Sequence, residues 1–325
     1  MKNGKRMRCS SRWIFGILFW GMAVMLQAQD ALPEKVLPDR NSGPVFSEQA
    51  MVRMMGLIDC EPSMPVVFRE TRKNEIEDPE HTLDPFWNKL MRMEGPVRIV
   101  HIGDSHVRGH VLPYVVRKKL EEEFGSEAVV DEEVTYQSSG LAEETGERGI
   151  VYHMLGVNGA TYGTFYTPER IHEIAALHPD LIIVSFGTNE AHASRYVAAQ
   201  HQQHMRTLLD ALKESCPESA ILLTTPPGAY KRQGRRGRVI NTQTPQVVAT
   251  EQNYARDHRM AIWDMYDIVG GKQRACLNWV AGNYYQKDRI HFTRQGYTVQ
   301  GLLLHEALIK AYNNYVATQF TGSRN

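Results

Sequence analysis

The chain has 325 residues, and its 37 basic and 37 acidic side chains give a formal net charge of zero near neutral pH. A chain of this length can bury a full core without the help of disulfides or metals. Its charge balance excludes the strong basic excess that draws a protein to nucleic acid or to anionic membranes.

The first 28 residues have the pattern of a secretory signal peptide. Five basic residues come before the apolar stretch from Trp13 to Leu26, and the small residue Ala28 suits the position before a cleavage site. The apolar stretch is short for a membrane span, and an uncleaved anchor is the alternative interpretation. Cleavage after Ala28 would leave 32 basic and 37 acidic residues, a formal charge of −5. We therefore expect an exported protein, periplasmic or secreted, without a nucleic-acid partner and without stable membrane insertion after cleavage.

Residues 29–84 are predicted to form a lead-in segment that lies over the main domain, residues 85–325. The segment is rich in Pro, Glu, Asp and Arg and has only brief apolar clusters. Its proline spacing argues against a long helix, so we expect one short helix near Ser47 to Leu57.

Strands and helices alternate along the main domain. The clearest strand runs from Leu181 to Phe186 and is rich in β-branched residues, as expected where helices cover both faces of a parallel sheet. The alternation predicts a three-layer α/β fold. The predicted strands are 97–102, 149–155, 181–186, 220–225 and 261–264, and the predicted helices are 85–93, 107–124, 168–177, 194–214, 245–257 and a last one from 293 to about 315.

The tetrapeptide Gly103-Asp104-Ser105-His106 directly follows the first predicted strand. A serine at the carboxyl end of a buried strand is held in a fixed, exposed position, and the chemistry of parallel sheets collects at these ends. The same tetrapeptide is also ordinary turn and helix-entry sequence, so by itself it makes Ser105 only a candidate nucleophile.

The segment Asp288-Arg289-Ile290-His291 provides a candidate general base for that serine. A carboxylate three residues before a histidine can fold back and accept a hydrogen bond from one imidazole nitrogen. The other nitrogen is then free to take a proton from a serine. The alternative is a loop Asp beside an unrelated surface His.

Two further strand ends offer donors to a developing oxyanion. Asn189 follows the strand that ends near Phe186, and its side-chain amide can donate a hydrogen bond to such an oxygen. Gly159 follows the second predicted strand, where the absence of a Cβ atom lets a backbone N–H group approach a substrate. Each segment also has the sequence of a tight turn, which is the alternative for both.

Together and in this order, the four segments resemble the SGNH, or GDSL-type, esterase and lipase superfamily. The resemblance spans about residues 97–304 and implies a flavodoxin-like fold, a parallel sheet of five strands in the order 2-1-3-4-5 flanked by helices. It also implies a catalytic triad of Ser105, His291 and Asp288. The oxyanion hole that it implies consists of Ser105, Gly159 and Asn189.

Within this superfamily, the segments around Ser105 and Gly159 and residues 225–228 look most like those of exported bacterial peptidoglycan O-acetylesterases. The interval between Ser105 and Gly159 is too short for the carbohydrate-binding insertion that some of those enzymes carry. Two positions depart from the family pattern. His106 stands where the family name has Leu, and Glu190 stands where Asp is commonest.

The resemblance implies an exported serine esterase that removes short acyl groups, acetyl above all, from an O-acylated glycan, with peptidoglycan the favoured polymer. The alternatives are a lipase or lysophospholipase of the same superfamily and a glycan-binding protein that has lost turnover. The sequence has no Gly-x-Ser-x-Gly elbow, and its candidate Asp stands only three residues before the His, which argues against an α/β-hydrolase.

The histidines and cysteines do not have the spacing of a metal site. No carboxylate–histidine motif such as H-E-x-x-H surrounds the histidines near the motifs and on the predicted helices, which are His101, His106, His110, His192, His201 and His204. After the predicted cleavage site the chain has three cysteines, which allow one disulfide and one free thiol: Cys60, Cys216 and Cys276. We therefore expect neither a metal nor a cofactor.

Besides the triad, the candidates for substrate binding are His106, Tyr162, Arg232 and Arg235. His106 adjoins the candidate nucleophile, and Tyr162 can stack on a sugar ring. The two arginines belong to the basic stretch from Lys231 to Arg238, which follows the fourth predicted strand and can grip an anionic glycan. A solvated flexible loop and an aromatic side chain that fills the core are the alternative interpretations.

Overall fold

The structure is a computed structural model that describes residues 56–130, 139–234 and 237–321. The predicted signal peptide and Arg235 lie outside these residues, as does most of the predicted helix near Ser47 to Leu57. In the described part of the chain, no helix has both the length and the apolar character to cross a membrane.

The strands of the described residues are β1 Pro96–Gly103, β2 Gly149–Gly156, β3 Leu181–Ser185, β4 Ala220–Thr224, β5 Tyr230–Arg232, β6 Arg238–Ile240 and β7 Ala261–Trp263. Five of them form one parallel sheet in the order β2-β1-β3-β4-β7, and β5 and β6 form a separate antiparallel hairpin. Because β7 is the fifth strand of this sheet along the chain, the predicted α/β class and the 2-1-3-4-5 order are confirmed.

The helices of the described residues are α1 Asp84–Arg92, α2 Ser105–Arg108, α3 Val111–Phe124, α4 Tyr162–Phe165, α5 Pro168–Ala176, α6 Thr188–Ala191, α7 Ala198–Ser215, α8 Thr244–Asp257, α9 Met265–Ile268, α10 Gly271–Ala281 and α11 Arg294–Thr321. Four of these, α2, α4, α6 and α9, have only four residues each. They follow β1, β2, β3 and β7 respectively, so the chain turns tightly at the carboxyl edge of the sheet.

Three of the differences from the sequence prediction concern where a longer helix begins. The helix predicted over 107–124 is divided into α2 and α3 at His110, whose φ of 64° is left-handed. Helix α7 begins at Ala198 instead of 194, which leaves a loop after α6. Helix α10 was not predicted, because it begins at two glycines, Gly270 and Gly271, that have the sequence of a turn and φ values of 114° and 63°.

A hydrophobic core covers each face of the sheet. Alternate residues of β1 point to opposite faces, with Val97 and Ile99 in one core and Val100 and Ile102 in the other. Helices α1, α3, α10 and α11 contribute to the first core, and α5 and α7 contribute to the second. The sheet is therefore buried on both faces, which explains why its strands are mostly apolar.

The described part of the lead-in segment packs against the edge strand β7 and against α11. Glu77 pairs in antiparallel fashion with Ile262 of β7. The buried Asn74 donates from Nδ2 to the carbonyl of Leu303 at 2.7 Å and accepts at Oδ1 from Trp263 Nε1 at 2.9 Å. Residues 56–83 thereby cover an edge of the sheet that would otherwise have unpaired backbone groups.

Candidate active site

The candidate nucleophile Ser105 begins α2, two residues after β1 ends at Gly103. Asp104 caps this helix, because its Oδ1 accepts from the backbone N–H of His106 at 2.8 Å. A Cβ atom at Gly103 would lie 2.5 Å from the carbonyl oxygen of Ser185, so only glycine fits at this point of the turn. The turn therefore holds Ser105 at the carboxyl edge of the sheet.

The structure brings Ser105, His291 and Asp288 into one hydrogen-bonded chain. Ser105 Oγ and His291 Nε2 lie 2.9 Å apart, and His291 Nδ1 lies 2.6 Å from Asp288 Oδ2. A carboxylate only accepts hydrogen bonds, so Nδ1 carries the proton and Nε2 accepts from the serine hydroxyl. In this arrangement an imidazole can take the proton of an attacking serine.

Asp288 also shapes the turn that carries His291. Its Oδ1 accepts from the backbone N–H groups of Ile290 and His291, both at 3.0 Å, and Arg289 has a left-handed φ of 54°. Burial acts to raise the pKa of Asp288, but the hydrogen bonds from the His291 ring and from these backbone groups outweigh it and lower that pKa. The carboxylate therefore stays ionised at neutral pH, where it can stabilise a protonated His291.

His106 packs behind His291. The centres of the two rings are 5.6 Å apart, and His106 Nδ1 lies 3.0 Å from the hydroxyl of Tyr297. Only 6% of His106 is exposed, and burial together with the nearby His291 lowers its pKa to about 3. The ring is therefore neutral and buried beside His291, and the role of His106 in substrate binding stays a prediction.

The segments around Gly159 and Asn189 meet at the Ser105 turn. Asn189 Nδ2 donates to the carbonyl of Ala160 at 2.8 Å and to Asp104 Oδ2 at 3.2 Å. Gly159 has a left-handed φ of 75° and open space where a Cβ atom would stand. Within the described residues, the backbone N–H groups of Ser105 and Gly159 have no acceptor. Both are therefore free to donate to a substrate oxygen.

Glu190 joins the loops that follow β2 and β3. Its Oε1 accepts from the backbone N–H of Tyr162 at 2.8 Å, and its Oε2 accepts from the backbone N–H of Gly187 at 3.0 Å. Burial raises the pKa of Glu190 to about 7, although these hydrogen bonds act to lower it. Sequence reasoning noticed Glu190 only as a departure from the family pattern, because its partner Tyr162 stands 28 positions earlier in the chain.

A chain of buried polar groups crosses the sheet below these loops. His101 in β1 lies 2.8 Å from the hydroxyl of Tyr152 in β2 and 2.7 Å from Oγ of Ser185 in β3. Thr224 in β4 donates to the same Ser185 Oγ at 2.8 Å. Burial lowers the pKa of His101 to about 3, so its ring is neutral and can both donate and accept. These contacts hold together the ends of the four strands from which the site is built.

The described residues contain no group of His, Cys, Asp and Glu side chains that could hold a metal ion. The three cysteines within the described ranges form no disulfide, and each is a free thiol: Cys60, Cys216 and Cys276. Only Cys60 is partly accessible, since the other two are buried.

The other candidates for substrate binding lie in different environments. Tyr162 is completely buried in the second core, which corrects the expectation that it stacks on a sugar. The two ends of the basic stretch pair as β5 and β6. Arg232 ends β5 with an exposed side chain, whereas Arg235 lies outside the described residues.

A family model described as GDSL-like lipase/acylhydrolase matches residues 102–299 of this chain. No curated protein matches the chain.

Several solved structures are similar to this one. A peptidoglycan O-acetylesterase is 18% identical with a TM-score of 0.62, over 74% of this chain and 99% of that chain. A lipase/acylhydrolase from Enterococcus faecalis is 21% identical with a TM-score of 0.46, over 66% of this chain and 96% of that chain. A GDSL-like lipase from Bacteroides thetaiotaomicron is 17% identical with a TM-score of 0.43, over 70% of this chain and 99% of that chain. At 18% identity, the similarity to the peptidoglycan O-acetylesterase concerns the fold.

Proposed function

We propose that this chain, which belongs to the GDSL-like lipase/acylhydrolase family, is an exported serine esterase that removes short acyl groups from a polysaccharide. Acetyl is the favoured acyl group, and peptidoglycan is the favoured polymer. The observation that carries the proposal is the hydrogen-bonded chain from Ser105 through His291 to Asp288 at the carboxyl edge of the sheet.

In the proposed acylation step, Ser105 Oγ attacks the carbonyl carbon of the ester while His291 Nε2 takes the hydroxyl proton. Asp288 stabilises the imidazolium that forms, since its pKa is lowered and it is ionised. His291 then gives the proton to the departing sugar oxygen as the ester C–O bond breaks. In the second step a water molecule attacks the acyl-serine in the same way, and the carboxylic acid leaves.

The developing oxyanion is stabilised by the backbone N–H groups of Ser105 and Gly159 and by the side-chain amide of Asn189. The amide has two N–H groups, and its contact to Asp104 Oδ2 is the longer one, at 3.2 Å. We expect this contact to be exchanged for the substrate oxygen, while the 2.8 Å bond to the carbonyl of Ala160 keeps the amide in place. A single donor of this kind contributes about 2.7–4 kcal/mol to transition-state stabilisation in acyl transfer.

The surface of the described residues supports a short acyl group over a lipid. A lipase needs an apolar surface beside its nucleophile for the acyl chain and the lipid interface. A pocket opens beside Asn189, and among the exposed large apolar residues only Val197 lines it. The exposed large apolar residues are Val66, Val67, Met91, Val130, Leu141, Val197 and Leu277.

The favoured polymer and the export of the protein have separate support. A solved structure with a TM-score of 0.62 is a peptidoglycan O-acetylesterase, which supports peptidoglycan through similarity of fold. The basic and apolar pattern of residues 1–28 supports export.

The proposal is tested first with aryl esters of increasing chain length. We expect the aryl acetate to be hydrolysed fastest and Ser105→Ala to remove nearly all turnover. Ser215→Ala is the matched control, because Ser215 is exposed at the end of α7. Full activity of Ser105→Ala would contradict the proposal. Faster hydrolysis of long-chain esters would favour a lipase, and tight glycan binding without turnover would favour a silent binding protein.

A second measurement addresses the polymer. Acetate release is compared on O-acetylated peptidoglycan, O-acetylated xylan and O-acetylated sialic acid. We expect the highest kcat/KM on peptidoglycan, and equal or absent release from all three would remove the support for this polymer.

A further inference from the structure

A pocket of about 170 Å³ opens beside Asn189. Thr161 and Asn189 bring it into contact with both loops of the proposed oxyanion hole, and Arg195, Gln200 and His204 are among its other lining residues. Pockets for drug-sized ligands have volumes of roughly 300–1,000 Å³, so this one suits a single substituent of a sugar better than a long acyl chain.

Arg195 gives the pocket a positive charge that none of the described residues neutralises. Its side chain is exposed, and within the described part of the chain it has neither an ion pair nor a hydrogen bond. Glu190 is the one carboxyl group in the lining, and both of its oxygens already accept from the backbone of Tyr162 and Gly187. A guanidinium with free donors can bind a carboxylate through two parallel hydrogen bonds.

The loop that carries Arg195 is fixed on both sides of this residue. The carbonyl of Ala193 accepts from Lys231 Nζ at 2.8 Å and from Gln243 Nε2 at 2.9 Å. The backbone N–H of Tyr196 donates to Gln243 Oε1 at 2.9 Å. Because Gln243 binds the chain before and after Arg195, little backbone entropy is lost when a ligand binds there.

Two further cations lie between this loop and the turn of the triad. Lys231 is one, and the other is Arg289, whose guanidinium lies 4.9 Å from the centre of the Tyr230 ring. The carbonyl of Arg289 accepts from the backbone N–H of Tyr230 at 2.9 Å, and Arg289 adjoins Asp288. A basic border therefore runs from Arg195 to the triad, in a chain that has equal numbers of basic and acidic residues.

We infer that Arg195 binds a carboxylate of the glycan while the ester carbonyl lies in the oxyanion hole, so that the substrate is a carboxylate-bearing, O-acylated glycan. This inference rests on the proposed esterase function. Uronic acid and sialic acid residues carry a carboxylate on the sugar itself, and a muramyl residue carries one on its lactyl group or, where that group bears a peptide, on the peptide. Lys231 and Arg289 extend the same preference along the border toward the triad.

The experiment compares kcat/KM of the protein on anionic and neutral esters. The anionic substrates are O-acetylated peptidoglycan fragments, O-acetylated galacturonan oligosaccharides and O-acetylated sialic acid, and the neutral ones are O-acetylated xylan oligosaccharides and an aryl acetate. The variants are Arg195→Ala and Arg195→Lys. Arg206→Ala is the matched control, since Arg206 is exposed on α7 and does not line the pocket.

We expect the wild type to favour at least one anionic glycan over xylan, and the anionic substrate that it favours most identifies the source of the carboxylate. Arg195→Ala should lower kcat/KM on that substrate by roughly 10- to 100-fold, mainly through KM, because a hydrogen-bonded charge is lost. Arg195→Lys should keep part of the preference, since it retains the charge without the paired donors. Aryl acetate and xylan should be hydrolysed as before.

Two results would overturn the inference while the esterase function stands. One is a wild type that hydrolyses aryl acetate but has no preference for anionic glycans. The other is an Arg195→Ala variant that loses activity equally on every substrate, which would assign the residue to the support of the loop. Absence of aryl acetate hydrolysis in the wild type would instead contradict the proposed function itself.

Discussion

The base side and the oxyanion side of the proposed site are built in different ways. On the base side, Asp288 and His291 belong to one turn, and among the described residues the hydrogen bonds that Asp288 accepts come from residues two or three positions away. On the oxyanion side, the side chains of Asn189 and Glu190 make contacts with residues 28 to 85 positions earlier in the chain. The base side is therefore determined locally, whereas the oxyanion side depends on the assembled sheet.

The carboxyl groups of the two sides also differ in charge. The hydrogen bonds of the turn lower the pKa of Asp288, so this group is ionised. On the oxyanion side burial dominates, and it raises the pKa of Asp104 to about 8 and that of Glu190 to about 7. Hydrogen bonds thus preserve the charge of the carboxyl group beside His291, while burial suppresses the charge of the carboxyl groups that hold the loops together.

The largest expected effects are on the base side, where replacement of His291 should lower kcat more than replacement of Asp288. His291→Ala should lower kcat on aryl acetate by roughly 10⁴-fold or more, because no other group takes the serine proton. Asp288→Asn should cost less, roughly 10²- to 10⁴-fold, since an amide can still bind the backbone of the turn but favours the wrong imidazole tautomer. Steady-state kinetics measure both values. His172→Ala, an exposed histidine on α5, serves as the control. If Asp288→Asn lost as much activity as His291→Ala, the hydrogen bonds within the turn would not be enough to keep its conformation.

Asn189 provides the corresponding test on the oxyanion side. Asn189→Ala should lower kcat by roughly 10²- to 10³-fold with little change in KM, because the donor acts mainly on the charged intermediate. Asn253→Ala is the matched control, since Asn253 is exposed on α8. If KM rose while kcat stayed constant, Asn189 would bind the ground state and the assigned role would be wrong.

The same contrast explains which parts were predictable from the sequence. The strands of the sheet are mostly apolar on both faces, and the spacing from Asp288 to His291 is that of a single turn, so both features follow from local patterns. The break at His110 was not predictable, because a left-handed histidine leaves no mark in the hydrophobic pattern. The pairing of Tyr230–Arg232 with Arg238–Ile240 was also missed, since a stretch rich in Arg and Gly has the composition of a solvated loop.

Partners distant in the chain account for the rest of the differences at the site. Tyr162 has a residue type suited to sugar binding, and only the packing of α4 against α7 and the strands shows that it is buried. The bridge that Glu190 makes between two loops depends on backbone N–H groups, which every residue except proline supplies and no sequence motif records. The roles of Ser105, His291, Asp288, Gly159 and Asn189 remain predictions that the variants above test.

Glu190→Gln should have a smaller effect that links stability to catalysis. An amide accepts from one of the two N–H groups but presents its own NH₂ to the other, so one buried hydrogen bond is lost. We expect a loss of about 1–3 kcal/mol in the free energy of unfolding, measured with denaturant. We also expect a fall in kcat of roughly tenfold at unchanged KM, because the two donor loops separate. Glu173→Gln, at an exposed position of α5, is the control. Lower stability with unchanged kcat would show that Glu190 supports only the fold.

The smallest expected effect is a pH dependence of stability that distinguishes the two sides. Several buried histidines have pKa values of about 3 or 4 in the folded state, well below the ordinary 6.5. Unfolding lets them take up protons below pH 6.5, so the free energy of unfolding should rise with pH up to about that value. These histidines are His101, His106, His153, His201 and His305.

The carboxyl groups of the oxyanion side have the opposite sign. Asp104 and Glu190 keep their protons in the folded state up to about pH 8 and 7, whereas the unfolded chain releases them near 3.8 and 4.5. Their contribution to the free energy of unfolding is therefore complete below those ordinary pKa values. It is lost as the pH rises, at up to about 1.4 kcal/mol per pH unit for each group. Above pH 6.5 the histidines no longer oppose this loss, so stability should fall toward pH 8.

Asp288 should be silent in that range, because its lowered pKa affects stability only as the pH falls below its ordinary value of 3.8. Denaturant unfolding between pH 6.5 and 8 should therefore give a shallower slope for Glu190→Gln than for the wild type, and an unchanged slope for Asp288→Asn. If the slope changed in Asp288→Asn and not in Glu190→Gln, the carboxyl group with the suppressed charge would lie on the base side. Equal slopes in all three proteins would show that Glu190 is already ionised at pH 6.5, so that the hydrogen bonds from Tyr162 and Gly187 outweigh its burial.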